Sequence, residues 1–489
     1  MAKASLFRGA FFMLKWYICN MARKKTQQIF ENIPVIDAGA RGKTVAKAPD
    51  GRVIFLNNTV PGDIVDIKTF KKRKAYFEGT AIKFHKYSDK RTEPICDHFE
   101  NCGGCKWQHM SYKYQLQYKQ NEVVNNLLRI GHLELPEITP ILGCEKTYYY
   151  RNKMEFSFSN SRWLTLEEIN SEIDIDNRNA CGFHIAGMWD KILDISKCHL
   201  QEEPSNSIRN FIKDYGIKNG LTFFNPREQS GFLRTIMIRI SSNGEIMVVI
   251  QFFKENKEKR EGLLNALAEK FPEITSLQYV INGKGNDTLY DQDIILFKGR
   301  DHIFEEMENL KFKIGPKSFY QTNSTQAYEL YKITRDFANL TGNEVVYDLY
   351  TGTGTIAQFV AKNAKKVIGV ESVPEAIADA KINAQLNEIK NVEFFAGDMK
   401  NVFNDAFIEK HGKPDVIITD PPRDGMHKNV VAKLLDILPK RIVYVSCNSA
   451  TQARDLALMK EQYTIVKTQA VDMFPQTHHV ENVVLLALK

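Results

Sequence analysis

What this 489-residue chain lacks narrows its class first. It has no apolar run able to cross a bilayer. The stretch at 6–19 is interrupted by Arg8 and Lys15, whereas a span needs about 20 apolar residues. That stretch also lacks the unbroken apolar centre and small cleavage-site residues of a secretion signal, since Phe11-Phe12-Met13-Leu14 runs into Lys15-Trp16-Tyr17. Met21, heading Met-Ala-Arg-Lys-Lys, is the better start. Residues 1–22 are therefore expected to be an N-terminal extension, and the rest is expected to be cytoplasmic, without a membrane segment. No internal repeat or low-complexity tract is present, which argues against solenoids and disordered tails. Strong charge of one sign is missing too: a net +7 permits a polyanionic partner without demanding one. Cysteines are few and uneven, eight in all with three in one tight group. Without a secretion signal, that pattern favours a metal or cluster site in a reducing compartment over a disulfide framework.

What is present is an ordinary globular composition, 43% hydrophobic and 26% charged, at a length that calls for two to four domains. Between about 28 and 85 the chain reads as short strands, at 44–46, 53–56, 64–69 and 79–84. Turns fall at Pro49-Asp50-Gly51 and Pro61-Gly62-Asp63. A small β-barrel is expected over 23–86. Lys71-Lys72-Arg73-Lys74 beside Tyr76 and Phe77 suits an RNA backbone and stacked bases, and equally suits a solvated hairpin tip. Cys96, Cys102, Cys105, Cys144, Cys181 and Cys198 follow. Strands at 235–240 and 245–252, then a helix near 260–270, make 87–317 a central α+β domain. From about 325 strands alternate with helices, at 345–349, 366–370, 392–395, 415–419, 441–446 and 482–488. A mainly parallel, doubly wound sheet is expected, in a domain spanning 318–489.

The first of those strands ends in Asp348-Leu349-Tyr350-Thr351-Gly352-Thr353-Gly354-Thr355, a strand-to-helix turn whose glycines let a ligand approach the backbone. About twenty residues on, Gly369-Val370-Glu371 ends the next strand with a carboxylate suited to the ribose hydroxyls of an adenosine. Asp398, after the third strand, could hold the adenine amino group. Asp420-Pro421-Pro422-Arg423 closes the fourth. A dinucleotide dehydrogenase has no use for that Asp-Pro-Pro turn, so the four strand ends favour S-adenosylmethionine. Cys447 ends the fifth strand in Val445-Ser446-Cys447-Asn448, and ligands of open α/β sheets sit at such carboxyl ends. A following helix would favour its thiolate. Glu481, in His478-His479-Val480-Glu481, precedes the last strand; if that strand runs antiparallel, Glu481 joins the same cleft. A thiolate beside a methyl donor suits a pyrimidine. Uracil C5 is a poor nucleophile until sulfur adds at C6, and a base must then take the C5 proton.

With these motifs the chain resembles the RNA uracil-5-methyltransferase family from about 28 to 489. The resemblance rests on Ser-Phe-Tyr-Gln-Thr-Asn at 318–323, the Asp-Leu-Tyr-x-Gly-x-Gly turn, Gly-Val-Glu at 369–371, Asp-Pro-Pro-Arg at 420–423, Ser-Cys-Asn at 446–448 and His-Val-Glu at 479–481. It implies that Cys447 is the nucleophile, that Glu481 is the base, and that Gln321, Tyr350, Thr355, Glu371 and Asp420 line the cofactor and target-base pocket. Thr351 and Thr355 depart from the cysteine and asparagine common in relatives. The barrel resembles a TRAM domain, an OB-like RNA-binding module. Cys96-x5-Cys102-Gly-Gly-Cys105, with Cys198 in a Cys-x-Leu segment, is similar to the ligand set of the family's [4Fe–4S] members; structural zinc is the alternative. The radical S-adenosylmethionine spacing is absent. Cys144 and Cys181 are expected to be ordinary thiols. The resemblance implies a monomer acting on RNA, with the 23S ribosomal branch favoured over transfer RNA. A noncatalytic RNA-binding or assembly factor, and an amine methyltransferase on the same fold, are the competing readings.

Overall fold

The computed structural model describes residues 27–171 and 177–489, in two compact units; the expected extension at 1–22 lies outside the described residues. One unit comprises the chain up to Thr92 together with His109–Ser111. Its strands β1 (Ile29–Ala38), β2 (Thr44–Lys47), β3 (Val53–Leu56), β4 (Ile64–Lys72) and β5 (Tyr76–Lys86) close into a barrel of order β1-β2-β3-β5-β4. Alternation supplies its core: Ile33, Val35, Ala46, Ile54, Leu56, Val65, Ile67 and Phe77 point inward. Within the basic run, Lys71 and Lys72 extend β4, and Lys71 pairs with Glu78 at 2.5 Å. Glu78 also takes Lys43 at 2.6 Å, and the two ammonium groups hold its carboxyl down at about 2. Part of the run is therefore committed to the barrel wall.

The second unit holds everything else described. After β6 (Thr139–Leu142) comes a seven-stranded sheet. It is built from β7 (Lys153–Ser159), β8 (Ala180–Ile185), β9 (Met188–Asp194), β10 (Leu233–Ile240), β11 (Ile246–Phe252), β12 (Ile274–Ile281) and β13 (Ile295–Gly299). Their order is β13-β12-β11-β10-β7-β8-β9, with helices Ser205–Lys218 and Lys257–Lys270 packed on it. A hairpin, β14 (Ile303–Met307) and β15 (Leu310–Ile314), precedes the last sheet. That sheet contains β16 (Val345–Leu349), β17 (Lys366–Glu371), β18 (Val392–Ala396), β19 (Val416–Thr419), β20 (Arg441–Ser446), β21 (Tyr463–Val471) and β22 (Glu481–Leu488), in the order β18-β17-β16-β19-β20-β22-β21-β6. Strands β16 to β20 are parallel, and β22 runs antiparallel to both its neighbours. The near-continuous burial of Val346, Tyr347, Ile368, Ile417, Ile418, Val443 and Tyr444 follows from helices covering both faces.

Regions 87–317 and 318–489 are joined within one compact unit: β6 pairs with β21 as the eighth strand, and helix Tyr112–Arg129 packs on helix Ser449–Met459. The physical reason is the open edge of β21, which β6 covers. The strand at 463–471 was not expected, because its exposed positions carry Thr464, Val466 and Lys467 without a clean alternation. Among the described residues, no helix is long and apolar enough to cross a membrane.

Candidate active site

The parallel strands bring their carboxyl ends to one edge, and the turn after β16 shows why its residues are what they are. Tyr350, Gly352 and Gly354 all have positive φ, at 65°, 56° and 75°. A Cβ on Gly354 would lie 2.6 Å from the Phe394 ring, so only glycine fits there. A Cβ on Gly352 would meet nothing within 4 Å, which leaves that backbone open to a ligand. Thr355 opens the helix Thr355–Ala361. The Thr353 hydroxyl donates to the Phe319 carbonyl at 3.2 Å, tying the 318–323 segment and with it Gln321 to this turn. The Gln321 carbonyl is fixed from the other side by Asn152 Nδ2 at 2.8 Å. Glu371 ends β17, and its carboxylate accepts from the amides of Ser372 at 2.6 Å, Val373 at 3.0 Å and Gly352 at 3.2 Å. Asp398 stands further out, exposed, capping a short helix and paired with Lys400 at 2.9 Å.

Behind the turn sits a group of acids. Asp348 is fully buried beneath it and accepts from the Thr351 hydroxyl and the Ala357 amide; burial pushes its carboxyl up to about 7. Asp420, immediately after β19, is pushed to about 7 by burial and by Asp348. Glu481 is the first residue of β22, 7% exposed, and burial with the nearby Asp420 raises it to about 8.

Ser446 pairs with Asn482 across β20 and β22. Cys447 and Glu481, one step beyond on each strand, therefore meet at the carboxyl edge, as the antiparallel arrangement requires. Asn448 caps the helix Ser449–Met459, and its amide nitrogen donates to the Arg423 carbonyl at 2.9 Å. Thr451 adds a second bond to that carbonyl at 3.0 Å. So held, Arg423 lies close enough to Cys447 for its positive charge to act on the sulfur. The expected thiolate is not favoured in the protein as it stands. Burial, then Glu481 and Asp420, push the Cys447 thiol up to about 11, with Arg423 opposing. Desolvation next to two carboxyls outweighs any help from the helix end. Sequence reasoning quoted Arg423 in its motif without giving it a role and missed Asp348 as part of the acid group; the Asp-Pro-Pro-Arg turn was the available signal for the first.

The cysteines of the central region form a second locus. Cys96, Cys102, Cys105 and Cys198 all line one cavity of about 630 Å³, together with Gly103 and Gly104. The short helix Phe99–Cys102 ends at Gly103 with φ 71°, which swings the chain toward Cys105. Among the described residues, no three His, Cys, Asp or Glu side chains are grouped so as to hold a metal ion, so the four thiols ring a cavity rather than form a chelate. Cys181 is core, and Cys144 is half-buried with its thiol donating to the Asp472 carbonyl at 2.9 Å. All seven described cysteines are free.

The family model for tRNA (uracil-5-)-methyltransferases matches residues 232–489. The chain belongs to the RNA uracil-5-methyltransferase family. An uncharacterized RNA methyltransferase of Bacteroides thetaiotaomicron is 58% identical over 453 residues, covering 92% of this chain and 100% of that one. Another, from Porphyromonas gingivalis, is 54% identical over 460 residues, covering 92% and 98%. The crystal structure of the Pyrococcus abyssi tRNA (uracil-54, C5)-methyltransferase with S-adenosyl-L-homocysteine superposes with a TM-score of 0.72 at 28% identity, covering 93% of this chain and all of that one. The part matched by the uracil-5-methyltransferase model includes the glycine turn, Cys447 and Glu481, and leaves out the barrel and the cysteine loop.

Proposed function

We propose that this protein transfers a methyl group from S-adenosylmethionine to carbon 5 of a uridine in RNA, with Cys447 as nucleophile and Glu481 as base. The observation that carries the reading is the register of β20 and β22, which sets a thiol and a buried carboxyl side by side at the cofactor edge. Gln321, Tyr350, Thr355, Glu371 and Asp420 are the groups available to hold donor and base, with Asp398 at the rim. S-adenosylmethionine supplies an electrophilic methyl group. Cys447 gives up its proton to water, Arg423 offsets the charge, and sulfur bonds to C6 while the C5–C6 π electrons move onto C5, which takes the methyl as its bond to the sulfonium breaks and S-adenosylhomocysteine leaves. Once C5 carries the methyl, the Glu481 carboxylate removes the C5 proton. The freed electrons restore the C5–C6 double bond and the C6–S bond breaks, returning Cys447. A carboxyl near 8 is matched to this exchange at working pH. Amine methylation needs neither group, and a noncatalytic RNA binder has no use for them.

The target we favour is 23S ribosomal RNA, on the barrel and the four cysteines together. A transfer RNA target is supported by the similarity to the Pyrococcus abyssi enzyme. Mapping 5-methyluridine in ribosomal and transfer RNA from a strain lacking the gene separates them: the position lost is the substrate. The chemistry is tested with 5-fluorouridine RNA. Wild type should form a covalent adduct and Cys447→Ala none; an active Cys447→Ala defeats the mechanism.

We also propose a [4Fe–4S] cluster on Cys96, Cys102, Cys105 and Cys198. Four thiols around one cavity, beside two glycines that leave the backbone accessible, fit a four-iron cube. Zinc needs all four sulfurs at about 2.3 Å from one point. Iron and sulfide assays of anaerobically purified protein decide; zinc without iron overturns the cluster.

A further inference from the structure

The segment that delivers Glu481 to the edge is a loop, 472–480, between β21 and β22. Its middle residue, Gln476, has φ 67°, a left-handed conformation that a side chain adopts only when its surroundings impose it. Those surroundings can be named. Gln476 N donates to Gln115 Oε1 at 2.9 Å, and Gln115 Nε2 donates to Gln476 Oε1 at 2.9 Å and to the Trp107 carbonyl at 3.0 Å. Trp107 N in turn donates to the Gln476 carbonyl at 3.0 Å. Gln115, Trp107 and Gln476 are all buried, at 1%, 0% and 4% exposure, so none of these bonds competes with water. Lys119, one turn along from Gln115, anchors the start of the loop through Asp472 at 2.6 Å and the Phe474 carbonyl at 3.1 Å. Tyr150 holds Pro475 at 2.9 Å.

Trp107 follows Cys105 by two residues, so the clasp joins the cysteine loop to the loop that ends in the base. A second connection runs to the other wall of the site. Tyr149 and Arg151 take the carbonyls of His199 and Leu200 at 2.8 and 2.7 Å, immediately after Cys198, while Asn152 N donates to the Thr322 carbonyl at 2.8 Å. The backbone beside Cys105 is thus hydrogen-bonded to the loop that precedes Glu481, and the backbone beside Cys198 to the 149–151 segment, which continues to Thr322.

We propose that Gln115 and Gln476 are positioning residues that, with Trp107, hold the Phe474-to-Glu481 loop so that Glu481 faces the C5 proton, and that the cysteine loop sets this position through Trp107. The inference rests on the reading of Glu481 as the base. It predicts a defect in one step only. Sulfur addition and methyl transfer do not involve Glu481, whereas C5 deprotonation does.

The test uses the isosteric variants Gln115→Met and Gln476→Met in the full chain, first checked for wild-type thermal unfolding; the second keeps a folded arm available, since its side chain has fewer partners. On uridine RNA their turnover should fall on the order of 10- to 100-fold, with little change in KM, and a methylated protein–RNA adduct should accumulate. On 5-fluorouridine RNA, which has no C5 proton to remove, adduct formation should stay within about twofold of wild type, since the missing bonds serve a step not taken. Exchange of the amides at 474–481 should quicken in these variants, and also when iron is stripped from wild type. Equal losses in both assays, or unchanged turnover, overturn the proposal. Absence of any adduct in wild type on 5-fluorouridine RNA defeats the covalent mechanism on which the base assignment rests, and is distinguishable from both.

Discussion

The edge around Cys447 and the cavity ringed by Cys96, Cys102, Cys105 and Cys198 use burial alike and differ in what faces the sulfur. Burial is the leading cause at both: Cys447 and Cys102 rise to about 11 and Cys105 to about 12. At the edge the next neighbours are carboxyls opposed by one guanidinium. In the cavity, after hydrogen bonds from Gly104 to Cys102 and from Gln108 to Cys105, the charges that bear on them are those of the other thiols. A single thiol with one cation at hand can exchange a proton and attack carbon. Four neutral thiols facing one another become anionic together only against a multivalent cation. On the proposed reading, burial gives a nucleophile in one place and a ligand set in the other, and the partners decide which.

The largest effect expected breaks the comparison into its halves. Cys447→Ala should lower methyl transfer by at least about 10³-fold while leaving bound iron intact, and Cys198→Ala should lose the iron. Iron content and methyl incorporation measured on both proteins would reverse the assignments if each variant showed the other's loss. Next, Glu481→Gln should lower turnover by about 10²- to 10⁴-fold and trap the adduct. It also carries a stability signature. Glu481 binds its proton up to about 8 when folded, against an ordinary value of 4.5. Between those values the native state holds more protons than the unfolded one, so this group's contribution to stability is lost as pH rises from about 4.5 through 8. Glutamine removes that loss, and the variant's melting-temperature advantage over wild type should be larger at pH 8 than at pH 5. An advantage that shrinks with pH contradicts a buried, neutral carboxyl. The smallest effect sharpens the role of the one cation. Arg423→Gln should slow iodoacetamide alkylation of Cys447 at pH 9 by roughly two- to tenfold, the equivalent of up to one pKa unit. Unchanged alkylation removes the guanidinium from the account.

Most of the edge was legible. The glycine turn, Glu371, Asp420 and Cys447 all fall at ends of strands whose apolar runs mark them clearly, and a parallel sheet puts such ends together. Cys96, Cys102 and Cys105 were legible from spacing, but Cys198 lies far along the chain and only resemblance brought it in. The joining of 87–317 to 318–489 within one unit was not legible, because β6 and helix Tyr112–Arg129 join the last sheet through contacts made more than three hundred residues away in sequence. Nor could the thiol's protonation be foreseen, since it depends on desolvation beside carboxyls from two other strands.

By itself the sequence marked the parallel strands of the last sheet and the residues that carry chemistry at their ends, because periodicity and motif spacing are local properties, and the family resemblance added the pairing of a thiol with a carboxyl. Only the tertiary structure decided that Asp420 stands near both Asp348 and Glu481, that Arg423 is a cation near Cys447, and that Trp107, Gln115 and Gln476 clasp the loop before Glu481. Burial and hydrogen-bond partners across distant segments are made by folding, and protonation and positioning follow from them.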